Sequence, residues 1–251
     1  MKKIIGIIPS RLQSSRLPRK PLKKIHGRPM IIHVLERAKL CTDLSEIYVA
    51  TDSEEIAKVV KRYHGKAILT SIHHKNGTER MAEAIQDLEG DIFVQIMGDE
   101  ALLNPAHISD SIEAFRSSKD ASASVLVTEF RKENSWGDFK AVLNLNNEIM
   151  YISRGDIPCA IRNPVDYRLK IYHLTCFSRD VLEKYSSMPK SPLEKIEDHE
   201  FLRLIENGYK IVAKKVDSPS ISVDYPEDLK YVEKQMLKDE VTKRYLIIDE
   251  Y

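Results

Sequence analysis

Ile4-Ile5-Gly6-Ile7-Ile8 is a continuous apolar run closed by Pro9. A strand with one wet face would alternate polar and apolar residues. A continuous run instead fits a strand buried on both faces, as in a parallel sheet covered by helices. The following segments keep to that plan. Pro29 opens Met-Ile-Ile-His-Val-Leu-Glu-Arg-Ala as a helix with proline in its first turn. Glu46–Thr51 reads as a second strand, and Asp52-Ser-Glu-Glu55 as a capping box opening a helix to about Tyr63. Lys66–Thr70 is a third strand, a helix starts near Thr78, and Asp91–Ile96 is a fourth strand. This alternation predicts right-handed crossovers and an α/β fold with a doubly wound, mixed but mainly parallel sheet.

Beyond about residue 120 the pattern loosens. Ala121–Thr128, Ala141–Leu145, part of Tyr167–Ser178 and Lys210–Val216 read as strands. Pro192–Asn207 reads as one amphipathic helix ended by Gly208, and Pro226 to about Lys238 as a last helix. Tyr245-Leu-Ile-Ile reads as a strand or an interface element. No linker interrupts the 251 residues, so a single domain is expected, residues 1–120 forming one half and about 121–240 a second. The second half is expected to supply substrate contacts and an oligomer face.

Charge narrows the classes of function. The formal net charge is +1, so nothing global favours nucleic acid or a membrane surface, and an anion site must come from local clustering. No run is long enough for a membrane span, and Ile4–Ile8 is too short for a signal peptide. Cys41, Cys159 and Cys176 are scattered and read as reduced thiols of a cytoplasmic protein.

The local cluster exists. Ser10-Arg-Leu-Gln-Ser-Ser-Arg-Leu-Pro-Arg-Lys-Pro-Leu22 carries Arg11, Arg16, Arg19 and Lys20 with no acid among them. It follows the carboxyl end of the first strand, the edge at which open α/β sheets bind ligands. Guanidinium groups grip phosphate oxygens in pairs, Lys20 adds a point charge, and the backbone N–H groups of Ser14 and Ser15 add a cradle. The alternative is a solvated basic loop. Gly-x4-Gly-Lys-Ser/Thr is absent, so a Walker-type ATPase is disfavoured.

Gly98-Asp99-Glu100 ends the fourth strand at the same sheet edge. A carboxylate there faces a triphosphate only through a divalent cation, and Mg²⁺ suits it. Asp224, between a strand region and a proline-initiated helix, is its candidate partner. Each aspartate has a plainer reading as a helix cap. Asn76-Gly77-Thr78-Glu79-Arg80 is a turn into a helix whose donors could meet a base and whose Arg80 could orient phosphate or buttress the loop. Arg154, Arg162, His173, Glu194 and Glu197 read either as contacts to an acidic, hydroxyl-rich substrate or as ion pairs. His73 and His74 lack nearby metal-ligand partners, and no Gly-x-Ser-x-Gly elbow supports acyl transfer.

Ile7-Ile-Pro-Ser-Arg, Arg16-Leu-Pro-Arg-Lys-Pro-Leu22, Gly27-Arg-Pro-Met-Ile31 with His33-Val-Leu-Glu-Arg37, Asn76–Arg80, Gly98–Glu100 and Val223-Asp-Tyr-Pro-Glu-Asp228 occur in order. As an ordered set, to about Leu229, they resemble the 3-deoxy-manno-octulosonate (Kdo) cytidylyltransferases. The resemblance implies a nucleotidyltransferase domain of the glycosyltransferase-A type, CTP as donor, Mg²⁺, a homodimer and a place in lipopolysaccharide biosynthesis. It implies that Ser10, Arg11, Arg16 and Lys20 hold the triphosphate and that Asn76, Gly77 and Arg80 lie near the nucleotide. Asp99 and Asp224 would carry the metal, with Arg11 and Lys20 completing the catalytic set. Met97, Arg154, Arg162, His173, Glu194 and Glu197 would meet the sugar acid.

The departures gather on the acid side. Met97 stands where the family carries Gln and cannot make its hydrogen bonds. Cys159 replaces a common Trp, and Leu174-Thr-Cys-Phe177 a Gly- and Tyr-containing strand. Arg19 replaces a Gly in the basic loop. A site built around one hydroxyl discriminates strongly, so an amino-Kdo, a nonulosonic acid or a phosphonate is the alternative acceptor. A polynucleotide-binding module would need a net basic, aromatic-rich surface, which the composition lacks.

Overall fold

The structure is a computed structural model in which residues 2–217 and 221–246 are described. The chain divides into two compact units, Met1–Ser109 with Ser220–Tyr251, and Asp110–Pro219. The expected split near residue 120 therefore falls earlier, and the C-terminal segment returns to the first unit rather than completing the second.

In the first unit, β1 (Ile4–Ser10) leads through a 3-10 turn (Lys20–Leu22) to the short strands β2 (Lys24–Ile25) and β3 (Arg28–Pro29). His26 and Gly27, both at positive φ, make the two-residue turn between them. Then come α1 (Met30–Lys39), β4 (Glu46–Thr51), α2 (Glu54–Arg62), β5 (Lys66–Leu69), α3 (Gly77–Ala84), β6 (Ile92–Ile96) and α4 (Pro105–Ser117). The division between units falls within α4. β1 pairs in parallel with both β4 and β6, and β4 in parallel with β5. The order β6-β1-β4-β5 puts β1 inside, which is why Ile4, Ile5, Ile7 and Ile8 are all buried. It also delivers the segments after Ser10, Leu69 and Ile96 to one edge. α2 is capped by Ser53, whose hydroxyl accepts from the Ile56 N–H at 3.4 Å. The cap expected at Asp52 thus falls on Ser53, without the reciprocal half of a capping box because Ile56 stands in that place, leaving the Asp52 carboxylate for other use.

The second unit is mixed. β7 (Ala123–Phe130), β8 (Lys140–Leu143), β9 (Ile149–Ser153) and β10 (Arg168–Ser178) are followed by α5 (Arg179–Tyr185), α6 (Pro192–Glu197), α7 (Phe201–Glu206) and β11 (Ile211–Lys215). β11 runs parallel to β7, while β7–β10, β10–β8 and β8–β9 are antiparallel. The single helix expected over Pro192–Asn207 is two. Asp198 takes a left-handed conformation, φ 54°, after α6, and α7 starts afresh at Phe201.

The returning segment carries α8 (Pro226–Met236) and α9 (Glu240–Lys243). Val223, Val232 and Met236 pack with Leu17, Ile25, Met30 and Ala101 in one buried cluster, so the basic loop and the C-terminal segment share a core. Arg37, fully buried on α1, donates to the Leu103 carbonyl at 2.9 Å, to Thr242 Oγ1 at 2.8 Å and to the Asp239 carboxylate. His33, one helical turn earlier, donates from Nε2 to the Ile25 carbonyl (2.8 Å) and accepts at Nδ1 from the Tyr245 hydroxyl (2.9 Å). Of the element expected at Tyr245–Ile248, residues 247 and 248 lie outside the described residues. Among the described residues, no helix is long and apolar enough to cross a membrane.

Candidate active site

At the carboxyl edge of the first unit's sheet, a cleft of about 260 Å³ is lined by Ser10, Arg11, Arg16, Lys20, Asn76, Gly77, Arg80, Met97, Asp99 and Asp224, among others. Its centre is the Lys20 ammonium, which donates to Asp99 Oδ2 at 2.7 Å and to Asp224 Oδ1 at 3.1 Å. Burial alone would lower the Lys20 pKa, but the two carboxylates outweigh it and raise the group above its ordinary value. Arg16 Nη2 donates to the same Asp224 oxygen at 2.9 Å, and its guanidinium lies over the Tyr225 ring, 5.3 Å from the centroid.

The plainer readings of both aspartates fail on geometry. Asp228 accepts from the N–H groups of Asp224 and Tyr225, at 2.9 and 2.8 Å, so Asp228 caps α8. Asp99 lies well before α4, where Asn104 accepts from the Ala106 N–H instead. The Val223 N–H donates to the Asp99 carbonyl at 3.0 Å, which joins the two acid-bearing segments directly. Close approach explains the flanking glycines. A Cβ on Gly98 would stand 3.0 Å from the Pro9 carbonyl oxygen, and one on Gly77 only 2.7 Å from Gln95 Nε2.

The donor set fits a hard divalent cation. Asp99 Oδ1 is buried and makes no hydrogen bond among the described residues, while Asp99 Oδ2 and Asp224 Oδ1 converge on one ammonium. Among the described residues no cluster of three or more His, Cys, Asp or Glu side chains could hold a metal. Two carboxylates leave most ligand positions to phosphate and water oxygens, as Mg²⁺ at a nucleotide requires. Ser10 Oγ is likewise buried without a hydrogen-bond partner among the described residues.

Other residues of the cleft are spent on its walls. Asn76 caps α3, accepting from the Glu79 N–H at 2.8 Å. Arg80, only 3% exposed, donates to Asp52 Oδ2 (2.9 Å), Thr70 Oγ1 (2.6 Å) and the Ser71 carbonyl (3.3 Å). Of the two roles expected for Arg80, this geometry is that of the buttress. His74 pairs with Glu83. Arg19 turns its guanidinium to Glu55 on α2. Met97 lines the cleft, and Gln95 Nε2 donates to its sulfur at 3.7 Å.

The residues expected at the acid belong to the second unit, apart from Met97, and separate into three groups. Glu197 Oε1 accepts from Ser153 Oγ (2.7 Å) and the Tyr151 hydroxyl (3.1 Å), and Oε2 from the Arg154 N–H (2.9 Å). Burial would raise this carboxyl, but those donors hold it below its ordinary range. Arg154 stacks over Phe139 at 4.1 Å, and Phe139, His173, His199 and Phe201 form an aromatic cluster in which the two histidine rings stack at 5.3 Å. Burial, then His173 and Arg154, drive His199 well below the ordinary histidine pKa.

Glu194 takes the second of its two readings, the ion pair. It is 2% exposed, both oxygens are held by Arg203 at 2.7 Å, and its carboxylate closes the Ser191 capping box, so it is a structural ion pair. Arg162 lies on the exposed stretch 161–167, and none of the described contacts joins it to the Arg154 network. Sequence reasoning missed Phe139, Tyr151, Ser153 and His199. The alternation of β9, which sends Tyr151 and Ser153 to one face, was the available signal for two of them.

A family profile described as cytidylyltransferase matches residues 5–211. The chain is 35% identical over 242 residues to a 3-deoxy-manno-octulosonate cytidylyltransferase of Escherichia coli, covering 95% of this chain and 98% of that one. It is 38% identical over 242 residues to the mitochondrial 3-deoxy-manno-octulosonate cytidylyltransferase of Arabidopsis thaliana, covering 93% and 83% of the two chains. Among solved structures, a CMP:2-keto-3-deoxy-manno-octonic acid synthetase complexed with CTP matches at TM-score 0.89 and 34% identity, over 94% of this chain and 99% of that one. The expected α/β fold class is therefore shared over nearly the whole chain.

Proposed function

This chain belongs to the cytidylyltransferase family, and on that premise we propose that it transfers CMP from CTP to a sugar acid, Kdo or a close relative, releasing pyrophosphate. The observation that carries the reading is the single ammonium of Lys20 shared between Asp99 and Asp224 at the mouth of a basic loop. That arrangement is a charge-balanced site awaiting an anion and a cation together.

In this reading the anomeric hydroxyl oxygen attacks the α-phosphorus of CTP in line. The new P–O bond forms as the bond to the β-phosphate bridging oxygen breaks, and the hydroxyl proton leaves to water. Asp99 and Asp224 would hold Mg²⁺, which when bound would neutralise phosphate charge and make the attacking hydroxyl easier to deprotonate. Lys20 and Arg16 exchange their carboxylate partners for triphosphate oxygens, so the charges that now pair internally become the grip on the leaving pyrophosphate. Arg11, exposed on the cleft wall, adds to that grip, and Ser10 Oγ supplies a hydrogen bond. Arg80, through Asp52 and Thr70, keeps the Asn76–Gly77 turn in place at the nucleotide. Positioning supplies much of the acceleration, and no covalent enzyme intermediate is needed.

Arg154, His173 and Glu197 serve the acid. Met97 favours a second reading of the acceptor, since a thioether accepts hydrogen bonds weakly and donates none. The family further suggests a cytoplasmic homodimer acting in lipopolysaccharide biosynthesis. Pyrophosphate release, measured with CTP and Mg²⁺ against Kdo, amino-Kdo, nonulosonic acids and a phosphonate, tests both readings. Turnover with Kdo alone fixes the first and preference for another acid the second. CTP binding without release on any acceptor would overturn both.

A further inference from the structure

Lys140 sits on β8 opposite Ser153 of β9 and is completely buried. A strand position with no exposure ordinarily carries an apolar side chain, because a buried charge is costly unless it is fully hydrogen-bonded. Here the burial is answered by backbone. Lys140 Nζ donates to the carbonyls of Ser135 (2.8 Å), Asp138 (2.9 Å) and Arg154, and Asp156 Oδ1 lies 3.6 Å away. Two of those carbonyls come from the loop 131–139 and the third from the end of β9. One ammonium, with three hydrogens and three carbonyls, ties the loop to the strand end.

What hangs on that tie is the surroundings of Arg154. Arg154 Nη1 donates to the Trp136 carbonyl at 3.0 Å, and its guanidinium stacks on the Phe139 ring, both on the tied loop. Its backbone N–H and Nε donate to Glu197, at 2.9 and 3.2 Å. Phe139 in turn stands edge-on to His199, 4.3 Å between centroids. Lys140 therefore fixes both the residue that carries the guanidinium and the ring that orients it.

We propose that Lys140 is a positioning residue for the acid acceptor, acting by pinning the 131–139 loop beneath Arg154. This rests on the reading of Arg154 as an acceptor contact. Removing the ammonium takes one donor from each of the three carbonyls, leaving that of Ser135 only the Asp138 N–H at 3.2 Å, and loosens the loop. The acceptor then loses a pre-oriented guanidinium, while the triphosphate grip, which draws on other residues, keeps its affinity.

Lys140→Met tests it, with pyrophosphate release followed at varied acceptor and varied CTP. The Michaelis constant for the acceptor should rise about tenfold or more, while that for CTP stays within about twofold. Partial unfolding would lower the rate at every acceptor concentration and leave the acceptor constant in place. Ser135→Ala removes only the Ser135 Oγ bond to Asp138, 2.7 Å inside the loop. It keeps the fold and should raise the acceptor constant by about threefold. Trp136 is the chain's single tryptophan, so its emission anisotropy reads the loop without any acceptor, and it should fall in Lys140→Met. An acceptor constant within twofold of wild type in both variants, or an unchanged Trp136 anisotropy, overturns the proposal. A wild-type enzyme that uses no sugar acid overturns the function proposed above instead, with the anisotropy still deciding whether Lys140 holds the loop.

Discussion

In the first unit the charged groups are half-buried and face one another across an open cleft, with Lys20 14% exposed and Asp99 19%. In the second unit the charges of Lys140, Glu194 and Arg203 are withdrawn from water almost entirely and satisfied by their own chain. The first arrangement can trade partners when a triphosphate arrives. The second cannot, because each partner is backbone or a buried counter-ion. Ligand-binding charge and scaffold-building charge thus differ in what they would leave behind if removed, and substitution separates them.

The largest effect is expected where the exchangeable charges meet. Asp99→Ala or Asp224→Ala should reduce turnover by about 10³-fold or more, some 4 kcal/mol of transition-state stabilisation, with the unfolding midpoint nearly unchanged. Near-normal turnover in either variant would rule out the metal role proposed for that residue. In the second unit the loss should appear as stability instead. Arg203→Ala strands a carboxylate that is 2% exposed, and urea unfolding should show a cost of roughly 3–5 kcal/mol. Replacing both partners by Arg203→Met and Glu194→Leu should recover most of it. A double variant that recovers no stability would mean that Glu194 does more than pair.

How much of this was legible follows from the same division. The parallel strands β1 and β6 announce themselves because both faces are buried and their runs are largely apolar, with Gln95 the polar residue of β6. By contrast β4 is partly exposed, and β5 lies at the sheet edge with Lys66 and Leu69 exposed. That the basic loop, Asp99 and Asp224 meet in one cleft was legible because charged residue types stand beside the carboxyl end of a strand. The acid side was not, because its roles depend on partners in space. Glu194 and Glu197 stand three residues apart on one helix, yet one closes the Ser191 capping box and pairs with Arg203 while the other collects Tyr151, Ser153 and Arg154. Nothing in their spacing tells them apart. The break at Asp198 has the same origin, since a left-handed aspartate is a tertiary choice rather than a propensity.

His33 is a case in which the first unit behaves like the second. Burial, with Arg37 and Arg28 nearby, lowers its pKa to about 4, against a hydrogen bond to the Ile25 carbonyl that pulls the other way. Because the folded value lies below the ordinary 6.5, the unfolded chain binds more protons between those limits. Stability should therefore fall as pH drops from about 6.5 to about 4, by on the order of 3 kcal/mol from this group, and then level off. The difference in urea unfolding free energy between wild type and His33→Gln, followed from pH 7 to 4, reads that slope. A difference independent of pH would show that His33 is not buried neutral, and that the tie through Tyr245 to the returning segment is weaker than drawn.

The smallest effect is expected at Arg19, and it is the sharpest test of where the triphosphate grip ends. By sequence, Arg19 is one of four cations in the loop and neighbours Lys20. In the structure it takes φ 58°, ψ 31°, and its guanidinium pairs with Glu55 on α2 rather than with the cleft. A side chain in that left-handed region costs about 1 kcal/mol or more, which Gly would relieve. Against this stand an exposed ion pair worth about 0–1 kcal/mol and the greater chain entropy of Gly, about 0.5–1 kcal/mol. Arg19→Gly should therefore leave stability within about 1 kcal/mol of wild type and the CTP Michaelis constant within about twofold, under 0.5 kcal/mol. A tenfold weaker CTP constant would place Arg19 among the exchangeable charges, and the pair with Glu55 would then be a resting position that the triphosphate breaks, as proposed for Lys20 and Asp99.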